Sequence, residues 1–593
     1  MTDVSRRDVL KSVATAVAGA AALSAPISGF SAPVATTTTT APTSRLKLHP
    51  FGYGDVKLTG GPLKAQFDHA LDVFLKLEDD RILKVYRAKA GLPAPGADMG
   101  GWYNAEGFGP GHGLGQWMSA LSRFAAAGSA DARAKVGRLV EGFAATLGRG
   151  NPFYEYRFPS YIYDKHVIGL TDAYRYAGID AARDVLRRAT DSAEPFLPEK
   201  ALTHEEMVAR PHKDPTYTLD ESYTIAENQF IAYQVFGDER YLEMGKRFLH
   251  DKPYFDKLAA GEPAMVGKHA YSHVNALGSA AMAYVVLGTE KHFAAIRNAW
   301  DMIDRDQRFA SGGWGPKEVF VEPGKGKLRE SLTTTRNHFE TPCGSYATMK
   351  LARYLAQITG ESRYGDAIER VIYNGILAAK RIQGDGTTFY YSDYQDNARK
   401  IYHPDKWPCC SGTYPQAIVD YLVSAYFHDE RDVYVNLFVP SELSWKRAGG
   451  DVKLIQETTY PEAGETVIRV EPNTPTEFAV NLRIPSWAQD ATVQVSGAGE
   501  PARPRAGDFH TIRRTWNPGN SIKVNLPLTP RAEPIDAQHP NIVAIMRGPV
   551  MQVGVGDRLS LERIDPPTAN YSLRFVPFYK INDEPYITYF TRG

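Results

Sequence analysis

From about Gly60 to Phe427, apolar residues recur at spacings of three and four. AQFDHALDVFLKL, AKVGRLVEGFAATL, VIGLTDAYRYAG, ENQFIAYQVFG, YLEMGKRFL and VNALGSAAMAYVVLG each carry one apolar stripe and end near a glycine or another turn residue. That pattern predicts a run of helices. Short loops such as FGDERY, LGTEKH and TGESRY join neighbours, and repeated helical hairpins point to a helical toroid. After Asp432 the period changes to two. DVYVNLFVPSELSW, VKLIQETTY, TVIRVEP, EFAVNLRIPSWA and SIKVNLPL are short, rich in Val, Ile and Thr, and punctuated by Gly, Pro and Asn. That texture predicts a β-sandwich. NIVAIMRGPVMQVGV and PFYKINDEPYITYF add further strands, and LKLHPFGYGDVKLTGG, before the helices, reads as a strand that joins the sandwich. The class is mainly α with β.

The first residues read as an address. Arg6-Arg7 is followed by a mildly apolar Ala/Gly-rich stretch and then small residues, the order of a twin-arginine export signal with cleavage between about Ala25 and Ala35. Thr36 to Thr40 begin a polar linker. The expected division is 1–35 signal, 36–45 linker, 46–430 helical domain and 431–593 sandwich. No later segment holds eighteen uninterrupted apolar residues, so no membrane span is expected after signal removal, and the expected location is the periplasm or outside the cell.

Composition narrows the partners. The 593 residues carry 68 Lys+Arg and 68 Asp+Glu, and a net charge of zero argues against nucleic acid as a partner. Aromatics make up 11% of the chain, with 33 Tyr and 8 Trp, rings that pack in cores or stack on sugars.

The three cysteines change the picture most. They are Cys343, Cys409 and Cys410. An odd count with two neighbours makes a poor disulfide framework, because a bridge between adjacent residues closes a strained ring. Cys343 follows Glu340 by three residues and opens a helical pattern. Cys409 and Cys410 follow Trp407-Pro408 and precede a helix. Two helix N-termini would each present thiols, and a helix N-terminus favours the thiolate. Three thiolates and the Glu340 carboxylate form a four-ligand set suited to zinc, with three unrelated buried cysteines as the alternative.

These motifs resemble glycoside hydrolase family 127, the β-L-arabinofuranosidases, over nearly the whole chain after the signal. Glu340-Thr341-Pro342-Cys343 is similar to the family's Glu-Thr-Cys element, and Cys409-Cys410-Ser411-Gly412 to its paired-cysteine element. Gly312 to Phe320 resembles its Gly-Gly loop. The resemblance implies an (α/α)6 barrel followed by β-sandwich material, a glycan substrate and a bound zinc. It implies Cys409 as nucleophile, Glu318 as acid/base, and Glu340, Cys343, Cys409 and Cys410 as metal ligands. His112, His166, His269 and Glu227 fall at positions resembling substrate contacts, with His273 as the alternative to His269. Trp102 and Trp117 offer stacking surfaces. Two departures stand out. Pro342 adds a residue and leaves ligation by Glu340 open, and an insertion near GKGKLRE leaves Glu322 and Glu330 as alternative acid/bases. Gln116 stands where the family often has a second histidine. The competing functions are another helical-barrel carbohydrate enzyme, such as a lyase or uronyl hydrolase, and a non-catalytic glycan-binding protein with structural zinc. The Gly111 to Gly115 run lacks the strand and the Lys-Ser/Thr of a nucleotide loop.

Overall fold

The computed structural model describes residues 45–148, 153–155, 157–210, 220–447, 449–556, 563–564 and 574–592. The twin-arginine stretch and the threonine linker lie outside the described residues.

Twelve helices make the barrel among the described residues: α1 (Gly61–Lys76), α2 (Gly113–Ala126), α3 (Ala130–Thr146), α4 (Pro159–Arg175), α5 (Ala181–Ala193), α6 (Ile225–Phe236), α7 (Glu239–Arg247), α8 (Ala270–Leu287), α9 (Glu290–Met302), α10 (Thr341–Thr359), α11 (Arg363–Val371) and α12 (Cys410–Val419). Helices α2, α4, α6, α8, α10 and α12 pack in that order, and α12 returns to α2, closing a ring. The outer helices α3, α5, α7, α9 and α11 each pack on the inner helix that precedes them, and α1 packs on α12. This is an (α/α)6 barrel. The inner helices are buried almost all round, which is why their apolar stripes are wide. The outer helices keep one exposed face.

Small residues let the inner ring tighten. A Cβ at Gly115 would collide with the Lys165 carbonyl, and one at Gly169 with the Gly115 carbonyl. Gly115, the last glycine of the GHGLG run, therefore serves close approach of α2 to α4. No helix among the described residues is long and apolar enough to cross a membrane.

The strands form two packed sheets and a third beyond them. One orders His49–Pro50, Tyr426–His428, Val433–Val435, Thr476–Ile484 and Asp508–Trp516. The other orders Thr492–Val495, Asn520–Asn525, Glu465–Pro472, Val452–Thr458, Ser441–Trp445 and Val56–Leu58. Glu465–Pro472 alternates exposed and buried positions, the period-two signature of a strand with one face on a core. Residues before the barrel thus complete both sheets. Arg483, fully buried, ties sandwich to barrel through Glu369 at 2.9 Å and Asp366 at 2.5 Å on α11.

Candidate active site

Two helix starts and one short ladder assemble the site. Phe339–Glu340 pairs antiparallel with Tyr391–Ser392, and the chain turns directly from Glu340 into α10. Pro342 occupies the first turn of α10, where a missing N–H costs nothing, so the extra residue is absorbed and Cys343 still joins the cluster. Cys409 is the N-cap of α12 and Cys410 its first residue. Trp407 just before them adopts φ 52°, a left-handed conformation rare outside glycine, held by its buried ring and the 2.9 Å bond from its Nε1 to the Met99 carbonyl.

The four donor atoms converge. Cys343 Sγ lies 3.6 Å from Cys409 Sγ and 3.3 Å from Cys410 Sγ. Glu340 Oε1 lies 3.2 Å from Cys409 Sγ and 3.9 Å from Cys410 Sγ. A tetrahedral zinc with Zn–S bonds of about 2.3 Å separates its sulfurs by roughly 3.8 Å. The cluster is therefore near the size of one zinc coordination shell, and all four residues are buried. Glu340 Oε2 is buried without a hydrogen-bond partner, with His269 Nε2 3.7 Å away. Buried carboxylates and thiols without a counter-cation are costly, so this donor set fits a metal ion and is compatible with zinc.

The thiols are not equivalent. Burial pushes the Cys409 thiol up, but hydrogen bonds with Cys343, Cys410, Tyr390 and Glu340 outweigh it and hold Cys409 well below the ordinary thiol range. Burial and the neighbouring sulfurs push Cys343 well up, and burial and the Cys409 charge do the same to Glu340. Cys409 is therefore the thiol whose neighbours favour the thiolate. It is also the thiol that reaches the adjoining cavity, at 9% exposure against 0% for the other two.

That cavity has a volume of about 430 Å³. Trp102, Phe108, Phe158 and Tyr161 give it an aromatic wall, while Glu221, His269, Glu318 and Glu340 give it polar groups. Such a lining suits a sugar, whose ring offers apolar C–H faces and polar edges. Glu318 sits at φ 62° and Lys317 at φ 57°, a backbone conformation worth about 1–3 kcal/mol of strain per residue that the surrounding loop sustains. It aims the Glu318 carboxylate into the cavity. Tyr391 donates to Glu318 Oε1 at 2.5 Å, and His269 Nε2 stands 3.9 Å from Oε2. His269 Nδ1 lies 2.8 Å from Glu221 Oε1. Burial pushes His269 down, but Glu221 and Glu340 win and raise it well above the usual histidine value, so it is the cation among these carboxylates.

The remaining residues singled out from the sequence divide. His269 and Trp102 line the cavity, as does His273. Glu322 and Glu330 are exposed and face solvent, with Glu330 2.6 Å from Lys327. His112 is buried behind Trp102 and Tyr161, its Nε2 2.9 Å from the Trp407 carbonyl, and burial lowers it to about 4. His166 is enclosed, with the Tyr86 hydroxyl 2.7 Å from Nε2 and the Tyr154 hydroxyl 2.8 Å from Nδ1, and burial lowers it to about 3. Glu227 pairs with Lys350 at 2.5 Å and accepts from Tyr354 at 2.8 Å, beside a second cavity of about 260 Å³. His112, His166 and Glu227 are not part of the Cys409 cavity's lining. Trp117 is buried, stacked on Tyr103, and its Nε1 bonds the Ser411 carbonyl at 3.1 Å, which steadies the start of α12. Gln116 is likewise buried, against Gln416 of α12. Sequence reasoning passed over Tyr390, Tyr391 and Glu221. The adjacent tyrosines of the strand-like segment after α11 were the available signal.

A closed barrel of six helical hairpins, with a thiol–carboxylate cluster opening onto an aromatic-walled cavity, defines the class: a helical-barrel carbohydrate enzyme with a metal-type centre. Residues 55–421 match the β-L-arabinofuranosidase GH127 catalytic domain and residues 432–528 the GH127 middle domain, and the chain belongs to this family of glycoside hydrolases, whose substrates are glycans. Among solved structures, it is similar to a GH127 β-L-arabinofuranosidase from Geobacillus stearothermophilus T6, at 17% identity over 91% of this chain and 100% of that one, with a TM-score of 0.69. A second GH127 β-arabinofuranosidase aligns at 17% identity over 93% of this chain and 98% of that one, with a TM-score of 0.70. No curated protein matches.

Proposed function

We propose that this glycoside hydrolase is an exported, retaining exo-enzyme that releases a furanose, β-L-arabinofuranose or a related sugar, with Cys409 as nucleophile and Glu318 as acid/base. The observation that carries the reading is the row Glu318, His269, Glu340, Cys409 along one cavity wall, with successive separations of 3.9, 3.7 and 3.2 Å. A zinc ion would be held by Glu340, Cys343, Cys409 and Cys410 and would supply the positive charge that keeps thiols ionised.

The chemistry then falls to the side chains. Cys409 Sγ attacks the anomeric carbon while the bond to the leaving oxygen breaks and Glu318 gives that oxygen its proton. Glu318, now a carboxylate, takes a proton from water as the water oxygen attacks the same carbon and the C–S bond breaks. Two displacements restore the starting configuration. Tyr391 orients Glu318, and the Tyr390 hydroxyl hydrogen-bonds with Cys409 Sγ across 3.2 Å, so both groups are positioned before substrate arrives. The aromatic wall carries the apolar face of the sugar.

Zinc content and hydrolysis of p-nitrophenyl β-L-arabinofuranoside, measured together in wild type and Cys409→Ser, test the reading. Stoichiometric zinc in the wild type and a fall of about a thousandfold or more in kcat/KM in the variant are expected, the scale typical for removing a nucleophile. A fully active Cys409→Ser protein sinks the mechanism and leaves a structural metal centre.

A further inference from the structure

In the same cavity, His250 and His273 line the wall together with His269. His250 is 2% exposed and His273 6%. Their ring centres lie 6.4 Å apart, and the Tyr223 ring rests 5.2 Å from the first and 4.6 Å from the second. Tyr223 is itself fixed by a 2.9 Å hydrogen bond with Ser272. This is a rigid, buried surface, and among the described residues part of its hydrogen-bonding capacity has no partner.

The ring nitrogens can be assigned by elimination. His273 Nδ1 lies 2.8 Å from the His269 carbonyl, which only accepts, so that nitrogen carries the proton. In the neutral ring, Nε2 is then a bare acceptor. His250 Nδ1 is buried with no partner. An orphaned buried N–H is tolerated less readily than an orphaned acceptor, so the proton of a neutral His250 belongs on Nε2. Neither Nε2 has a hydrogen bond among the described residues. Both rings are neutral, since burial lowers His250 to about 4 and His273 well below the usual histidine range, and the nearby Lys268 charge opposes protonation of each.

The wall therefore offers one donor and one acceptor a short distance apart. We infer that His250 and His273 form a subsite for two neighbouring hydroxyls of a sugar ring, one accepting from His250 and one donating to His273. A carboxylate or sulfate, which only accepts, would leave the His273 Nε2 facing a second acceptor. The assignment rests on the glycosidase reading for its ligand class, and it makes His250 a specificity residue that touches no metal-ligating or proton-transferring group.

The test measures the Kd of L-arabinose by calorimetry for the zinc-loaded wild type, His250→Phe and His250→Gln, with thermal melts to confirm folding. Phe keeps a ring without nitrogen, while the Gln amide places an N–H near the position of Nε2. The expected result is binding at least about tenfold weaker in His250→Phe and within about threefold of wild type in His250→Gln, in line with sites built around one buried hydrogen bond. Unchanged affinity in a folded His250→Phe protein, equal losses in both variants, or no binding by the wild type overturns the subsite. Failure of the catalytic reading shows separately, as turnover that survives Cys409→Ser.

Discussion

Helices α10 and α12 each carry two polar stations ten residues apart, and the two stations are built on opposite principles. At the N-termini stand Cys343, Cys409, Cys410 and Glu340, acidic groups with His269 as the nearby cation. Ten residues on stand Arg353 and Asp420, part of a cluster in which every charge is answered. Arg123 meets Asp172 and Asp420 at 3.0 Å each, Arg353 meets Asp420 at 2.7 Å, and Arg175 meets Asp172 at 2.7 Å. The first station is buried, and the second is largely so, with Arg175 and Arg353 partly exposed where they line the second cavity. The arginine–aspartate cluster gives each of its charges a partner of opposite sign and binds the inner helices to one another. The thiol cluster is left short of positive charge and open to a cavity. Burial of polar groups alone thus does not mark a functional site; an uncompensated set does.

Substitutions at the paired station probe that difference most strongly. Asp420→Asn removes the countercharge shared by Arg123 and Arg353, and should lower unfolding free energy by about 3–5 kcal/mol, the usual consequence of stranding a buried charge. Denaturant titration checks this. Zinc content and kcat of the protein that remains folded should not change, and a loss of zinc would show the two stations to be coupled along the helices.

Tyr391→Phe acts on the open station. It deletes one hydrogen bond to Glu318 and little packing, so a fall of about tenfold in kcat, with an unchanged melting temperature, is expected. An equal loss in stability instead would make Tyr391 a structural residue.

A buried cation outside both stations is read out through pH instead. Lys400 donates to the Phe578 and Ile581 carbonyls at 2.8 and 2.9 Å, and burial lowers its pKa to about 7. In the unfolded chain a lysine titrates near 10.4. Between those values the unfolded state binds more protons, so this group makes stability rise with pH, by about 1 kcal/mol per unit above pH 7. Below pH 7 both states are protonated and the penalty is constant. Lys400→Met should flatten the rise in a comparison of unfolding midpoints at pH 7 and 9.

Much of this was legible in the chain. The inner and outer helices declared themselves because each buries a stripe set by its own local period, and the strands because one face of each is buried. The metal-type cluster was legible because cysteine is rare here and each thiol sits at a helix start, a local feature. The histidines were less informative. His112, His166, His250, His269 and His273 are the same residue type, and what separates them is whether a Trp407 carbonyl, a pair of tyrosine hydroxyls or a cavity meets the ring nitrogens. Those partners come from distant segments, as His166 with Tyr86 shows.

By itself the sequence determined the succession of helices and strands, the family, and the four donors Glu340, Cys343, Cys409 and Cys410, because these depend on residue type and short-range spacing. Only the tertiary structure decided which side chains share the cavity. The closure of α12 onto α2 and the short ladder between Phe339–Glu340 and Tyr391–Ser392 bring Tyr390 to Cys409 and Tyr391 to Glu318. Such pairings are set by how the ring closes, which is a property of all the packed faces together and of no single stretch of chain.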